Sequence, residues 1–231
     1  MIYQRKYISR VADGGKKSEL TFRSILEILE DICHFHCEEL GDDKDRANGI
    51  GWILAEWNVK IIKPVPVSDE ISVRTFVVGK APASVVTRQF DIKDKNGELL
   101  ICATARFALV DTKTNKLTRI TEEIFNIYKP ETNKLYEFLA PPIKKDLEYN
   151  ELYKLTVRES DIDFNNHVHN TIYMDFFESA LKNEKISSFR ILYKSPVYLN
   201  EQISIQENEE QNVLRIVNES GTACTILQYN Y

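Results

Sequence analysis

Pro64-Val-Pro-Val-Ser-Asp69-Glu-Ile71-Ser72-Val73 returns 132 positions later as Pro196-Val-Tyr-Leu-Asn-Glu201-Gln-Ile203-Ser204-Ile205. Both stretches read Pro-Val-x-aliphatic-x-acid-x-Ile-Ser-aliphatic. An alternating segment precedes each, Trp57-Asn-Val59-Lys-Ile61 and Phe189-Arg-Ile191-Leu-Tyr193, with the period of a half-buried strand. A glycine turn follows each, Asn96-Gly97 and Ser220-Gly221, as expected between antiparallel strands. Further upstream, Phe22, Ile25, Leu26, Leu29, Ile32, Cys33 and His36 recur at helical spacing, with Glu27, Glu30, Asp31 and Glu38 mainly off that stripe. Ile172, Tyr173, Phe176, Phe177, Ala180 and Leu181 repeat the pattern in the second half. Helix-then-antiparallel-sheet, used twice, predicts an α+β fold of two tandem domains in which each sheet wraps its helix. The expected bounds are residues 1–128 and 149–231. Between them, 129–148 carry Pro130 and Ala140-Pro141-Pro142 and predict an extended connection.

Whole-chain properties narrow the function. The 231 residues are 43% apolar and 28% charged, an ordinary globular balance. A net charge of −5 argues against a general nucleic-acid binder. Residues 196–231 hold five glutamates against Arg215, so an acidic partner is expected to dock elsewhere. No apolar run reaches membrane-spanning length, and the first fifteen residues lack the apolar core of a secretory signal. Cys33, Cys37, Cys102 and Cys224 show no tight disulfide pattern, which points to free thiols and a cytoplasmic location.

Asp161-Ile-Asp163-Phe-Asn165-Asn166-His167-Val-His169-Asn170 crowds two carboxylates, three carboxamides and two imidazoles where a loop is expected to become a helix. In the alternation Asp163-x-Asn165-x-His167 the three side chains can converge on one cleft. An imidazole moves protons near neutral pH, a carboxylate beside it orients the ring or takes a proton, and a carboxamide holds a water. Helix N–H groups are expected to receive charge developing on a carbonyl oxygen. The competing reading is that Asp and Asn merely cap a helix. His169 and Asn166 fall off the alternation and read as structural or rim residues.

Cys33, His36 and Cys37 share a helix face, but no fourth ligand accompanies them, so we expect a buried face and no metal. Neither phosphate-binding glycine motif nor a G-x-S-x-G elbow is present, and no cofactor is expected. Trp52, Trp57, Phe90 and Phe107 lie on strand-like segments, where aromatics either fill a core or line an acyl pocket.

Taken together, the chain resembles the acyl-acyl-carrier-protein thioesterases, the chain-terminating enzymes of fatty-acid synthesis. In the first half the resemblance runs through Leu20-Thr21, His36, Leu40-Gly41, Gly51-Trp52-Ile-Leu54, Arg88 to Gly97, Ala103-Thr104-Ala105, Asp111-Thr112 and Arg119-Ile120. In the second it rests on Asp161-Ile-Asp163-x-Asn165-x-His167-Val168-x-Asn170-x-x-Tyr173. It implies two tandem hotdog domains, with the acyl pocket in the first and the catalytic motif in the second. It further implies hydrolysis of fatty acyl-[acyl-carrier-protein] to free fatty acid, with that carrier protein as partner. Catalytic roles fall to Asp163, Asn165 and His167, and pocket roles to Trp52, Trp57 and His36. Where the family carries an acid and a cysteine after the second helix, this chain has Pro196 and Val197, which favours direct attack by water. Glu56 replaces the family's arginine and Phe107 a usual tryptophan. Acyl-CoA hydrolysis on the same fold, a dehydratase, and a non-catalytic acyl-thioester binding module are the rival readings. A further homodimer stays open, since a tandem pair already mimics the usual pairing of such domains.

Overall fold

Thr21 opens the first helix, its side-chain oxygen accepting the Ser24 N–H, and α1 (Phe22–Leu40) then runs to Gly41. Gly41 adopts left-handed dihedrals (φ 72°) and donates to the Cys37 and Glu38 carbonyls, closing the last turn. Ile25, Leu26, Ile28, Leu29, Ile32 and His36 are buried, so the predicted stripe is the inward face. The computed structural model describes residues 1–42, 49–79, 83–136, 142–144, 146–181 and 185–231. The chain parts into two units, Met1–Phe138 and Leu139–Tyr231.

In the first unit, β1 (Tyr3–Ile8), β2 (Ile50–Ile61), β3 (Glu70–Val78), β4 (Val85–Asp94) and β5 (Leu99–Asp111) pair antiparallel in the order β1-β3-β4-β5-β2. A short β6 (Lys116–Leu117) joins β5, and Thr121 caps a small α2 (Glu122–Ile127). Trp57, Val73, Phe76, Phe90, Ile92 and Ile101 are fully buried and share the core with the α1 stripe. Each such side chain contributes about 1.5–3 kcal/mol.

The second unit repeats this plan. Strands β7 (Asn150–Thr156), β8 (Ser188–Tyr193), β9 (Gln202–Asn208), β10 (Val213–Asn218) and β11 (Ala223–Asn230) are ordered β7-β9-β10-β11-β8, with α3 (Ile172–Glu178) between β7 and β8. Register matches as well as order, since Ile8 faces Glu70 as Thr156 faces Gln202. The repeated Pro-Val segments lead into β3 and β9, and each carries one left-handed residue, Ser68 (φ 67°) and Asn200 (φ 65°). Both predicted glycine turns form, with Gly97 at φ 85° and Gly221 at φ 80°. Two tandem hotdog domains are therefore what the chain folds into.

Two expectations change. The second helix stops at Glu178. The N–H groups of Ala180 and Leu181 fold back on the Phe177 carbonyl, although both residues continue the apolar period. The connection also starts later than 129. Glu131 bridges β3 through Val77 and Gly79, and the backbone of Leu135 and Tyr136 satisfies the buried Gln89 carboxamide. A buried carboxamide needs such partners, which ties residues 131–136 to the first unit. Residues 137–141, with Ala140 and Pro141, and residue 145 lie outside the described part.

Candidate active site

The polar stretch sits on a locked turn that precedes the helix. Glu159–Asp161 form one 3₁₀ turn, and the Asp161 carboxylate accepts from Arg158 N (2.8 Å), Nε (3.2 Å) and Nη2 (2.9 Å). Burial works to raise the Asp161 carboxyl, but the Arg158 bonds outweigh it and hold it below the usual range. Ile162 and Val168 then pair as an antiparallel bridge. Inside that bridge Asp163 N donates to His167 O (3.0 Å) and Asn166 N to Asp163 O (3.0 Å), with Asn166 left-handed at φ 63°. Helix α3 begins only at Ile172 and spans seven residues. The stretch is thus the loop that enters the helix, as expected, but its Asp163 does not cap that helix. Asp163 caps its own turn, with Asn165 N on Oδ1 at 2.8 Å.

The three predicted side chains meet on this turn. Asn165 Nδ2 donates to Asp163 Oδ2 at 3.1 Å, so both carboxylate oxygens are engaged and the Asn165 oxygen is left outward. His167 Nδ1 lies 3.2 Å from the Val168 carbonyl and 3.7 Å from Asp163 Oδ1. A carbonyl only accepts, so Nδ1 carries the hydrogen, and in the neutral ring the lone pair falls to Nε2. Nε2 has no partner among the described residues. His169, outside the alternation, bonds Thr171 Oγ1 (2.9 Å) and accepts Thr171 N (3.3 Å), serving the helix entrance.

The first unit contains the same turn without the Asp-x-Asn-x-His triplet. Arg10 and Asp13 repeat the Arg158–Asp161 clasp, and Gly14 bridges Leu20 as Ile162 bridges Val168. Gly15 N donates to Glu19 O, Ser18 N to Gly15 O, and Thr21 N to Asp13 O. These copy Asp163 N to His167 O, Asn166 N to Asp163 O, and His169 N to Asp161 O. Ser18 is left-handed (φ 57°) where Asn166 is. Leu20 N finds Val65 O just as Val168 N finds Val197 O. Bond for bond the turns agree at an offset of 148, yet Gly15, Lys17 and Glu19 stand where the second unit has Asp163, Asn165 and His167. The clasp is scaffold; the triplet is an addition to it. Sequence reasoning missed the clasp, although Arg-x-x-Asp at 10–13 and 158–161 was there to be read.

Beside the turn, Val197 is buried and its carbonyl takes Val168 N, while burial pushes up the Tyr173 hydroxyl. The second unit's cysteine, Cys224, is buried, its thiol is held by Thr222 O, and burial raises it. It has no nucleophile's setting.

In the first unit Trp57 is fully buried against Phe90, with ring centroids 4.9 Å apart. His36 stacks on Tyr3 and receives the buried Arg88 guanidinium on Nδ1 at 2.7 Å. Burial first, then Arg88, lowers His36 to about 3. Trp52 is half-buried beside Tyr128, on an apolar cluster whose margin also includes Cys37, Leu40, Ile50 and Phe107. Glu56 is buried, held by Asn58 Nδ2 (2.6 Å) and Arg106. Among the described residues no three His, Cys, Asp or Glu side chains are placed to hold a metal. No helix among them is long and apolar enough to cross a membrane.

Residues 1–128 match the model of the acyl-ACP thioesterase N-terminal domain, and residues 144–229 match that of the C-terminal domain. The chain belongs to the acyl-ACP thioesterase family. Among its relatives in that family is oleoyl-acyl carrier protein thioesterase 2, chloroplastic, of Arabidopsis thaliana. It is 23% identical over 209 residues, covering 82% of this chain and 56% of the relative. A dodecanoyl-[acyl-carrier-protein] hydrolase of Cinnamomum camphora is 24% identical over 217 residues, 84% of this chain and 56% of its own. The chain thus spans little more than half the length of these relatives. An acyl-ACP thioesterase structure from Bacteroides thetaiotaomicron superposes with a TM-score of 0.87 over 99% of this chain and 98% of that one, at 17% identity. The 12:0-ACP thioesterase of Umbellularia californica gives 0.79 over 99% and 97%, at 18% identity. At such identities the likeness speaks for the fold.

Proposed function

We propose that this acyl-ACP thioesterase family member hydrolyses the thioester of fatty acyl-[acyl-carrier-protein] in the cytoplasm, releasing free fatty acid. The observation that carries the reading is the convergence of Asp163, Asn165 and His167 on a turn whose twin, with the same backbone, has none of them. In the proposed reaction His167 Nε2 takes a proton from water as its oxygen adds to the thioester carbonyl. The outward Asn165 oxygen accepts that water's other hydrogen. Asp163, with both oxygens engaged, orients the ring and offsets the imidazolium charge. Collapse of the tetrahedral adduct breaks the C–S bond. Free thiols titrate near 8.5, so the thiolate departs with little acid assistance, and the imidazolium returns its proton to the thiolate. With Val197 and Pro196 in place of the family's cysteine and acid, no acyl-enzyme enters this scheme.

Within the first unit we assign acyl-chain contact to Trp52, with Trp57 and His36 supporting it from the core. Trp52→Ala is expected to change the preferred chain length and leave the chemical step alone. The direct test is thiol release by the purified chain from a panel of acyl-carrier-protein thioesters beside the matching acyl-CoA thioesters. Faster turnover of the carrier-protein forms supports the reading. Faster acyl-CoA turnover replaces the substrate, and tight binding without thiol release overturns hydrolysis. Sedimentation of the same sample reports whether a homodimer forms.

A further inference from the structure

Phe164 lies between Asp163 and Asn165 and is 81% exposed, the barest large apolar side chain among the described residues. The backbone that presents it is locked on both sides by the Asp163, Asn165 and Asn166 bonds. The fold does not ask for an aromatic there, because the twin turn has Lys16 at that place. Its ring meets no other ring or cation among the described residues, and neither does the exposed carboxamide of Asn166 find a hydrogen bond there. A solvent-facing ring beside the proposed reacting centre, where the twin turn folds with a lysine, is not required by the fold.

A thioester has two limbs. The acyl limb is apolar and has to leave water. The other, the pantetheine arm, has two amides and a branched dimethyl carbon, and it runs outward to its carrier. A ring on the outer side of the turn meets the second limb. We propose that Phe164 is a binding platform for the pantetheine arm, packing on its dimethyl carbon while the Asn166 carboxamide pairs with an arm amide. This deepens the thioesterase reading and rests on it. The arm is common to carrier-protein and coenzyme A thioesters, so the contact is expected to serve both.

The test compares kcat and KM for the full chain, Phe164→Ala, Phe164→Leu and the twin-turn control Lys16→Ala. The substrates share one acyl group, on acyl carrier protein, on coenzyme A, and on N-acetylcysteamine, which retains only the first arm amide. Phe164→Ala is expected to raise KM about 10-fold for both full-arm substrates, the effect of removing part of a buried aromatic contact. Its effect on the truncated thioester is expected to be at most about a third of that. Phe164→Leu recovers part of the loss, Lys16→Ala follows the parent on all three substrates, and melting temperatures coincide. An unchanged KM in Phe164→Ala, or an equal loss on the truncated thioester, overturns the proposal. A loss confined to the carrier protein also overturns it, because the ring then touches the carrier's surface and not the arm. Should the parent chain cleave none of the three, the hydrolase reading itself falls, and this one with it.

Discussion

Replacing Asp163 by Asn separates the chemistry of the turn from its architecture. The new side chain keeps an oxygen to accept Asn165 N, now at 2.8 Å. Its amide nitrogen, however, faces Asn165 Nδ2 at the 3.1 Å where a carboxylate oxygen stood. Two donors in contact force the Asn165 carboxamide to turn over, which keeps the pair bonded at a cost to stability of about 1 kcal/mol or less. Turning over withdraws the outward oxygen proposed to hold the water. The second consequence is electrostatic. His167 Nδ1 lies 3.7 Å from Asp163 Oδ1, so removing the charge takes away about 1 kcal/mol of imidazolium stabilisation at the dielectric of water, or about 4.5 at an effective dielectric of 20. At about 1.4 kcal/mol per decade, kcat is expected to fall roughly 10- to 1,000-fold. The half-exposed ring places the electrostatic part toward the lower end, and loss of the water contact adds to it. The assay is thiol release at saturating acyl thioester, paired with a thermal melt of the same preparation. Turnover within threefold of the parent, with the fold intact, would refute the assignment. So would a rate loss that merely follows a lowered melting temperature.

Asp13→Ala and Asp161→Ala are each expected to lower stability by about 1–3 kcal/mol. Both strand an arginine backbone N–H, whereas the exposed guanidinium pairs add little. Only Asp161→Ala is expected to lower turnover, and equal activity in the two would show that the second clasp does not position the triplet. Glu30 is pushed up to about 8, chiefly by burial, from an ordinary 4.5. The folded chain therefore keeps this proton where the unfolded one has lost it. Stability is expected to decline as pH rises from about 4.5 through 8, and Glu30→Gln to flatten that decline in urea melts. Cys224→Ala is expected to hold kcat within about threefold, and a loss beyond 10²-fold would reinstate a thiol nucleophile over water.

What the sequence disclosed depended on whether a pattern reports conformation or only burial. The α1 stripe reports a face, and the residues predicted to point inward largely do so, while Thr21 and Gly41 supply a start and a stop. The Pro-Val repeat fell on equivalent connectors, and the duplication read from it is matched by a common strand order in the two units. In α3 the same kind of stripe misled. Ala180 and Leu181 continue the period because they are turned inward, yet their N–H groups fold back on Phe177. Asp and Asn serve helix caps and tight turns alike, so the triplet was legible as a cluster while its setting was not. The left-handed Asn166 and the bridge from Ile162 to Val168 decide for the turn. Gln89 gave no hint that its carboxamide binds the backbone 46 residues on, since the partners are peptide groups, which any sequence supplies.

The two turns also explain how one copy can differ so far from the other without loss of fold. Every hydrogen bond they share is made by backbone, apart from the Arg10–Asp13 and Arg158–Asp161 clasps. Side chains at positions 15, 17 and 19, and at 163, 165 and 167, contribute nothing to that common set, so they can change without disturbing it. The first copy accordingly carries Gly15, whose missing side chain leaves the clasped turn intact, and the charged Lys17 and Glu19. In the second copy the same positions add bonds of their own, from Asn165 N and Nδ2 to Asp163. The same pair of bonds forms between Asn96 and Asp94 in the turn from β4 to β5, so what sets this copy apart is the His167 imidazole 3.7 Å from the carboxylate. The added Asp163–Asn165 bonds, with His167 beside them, separate this copy of the turn from its twin, and it is on that difference that the proposed chemistry rests.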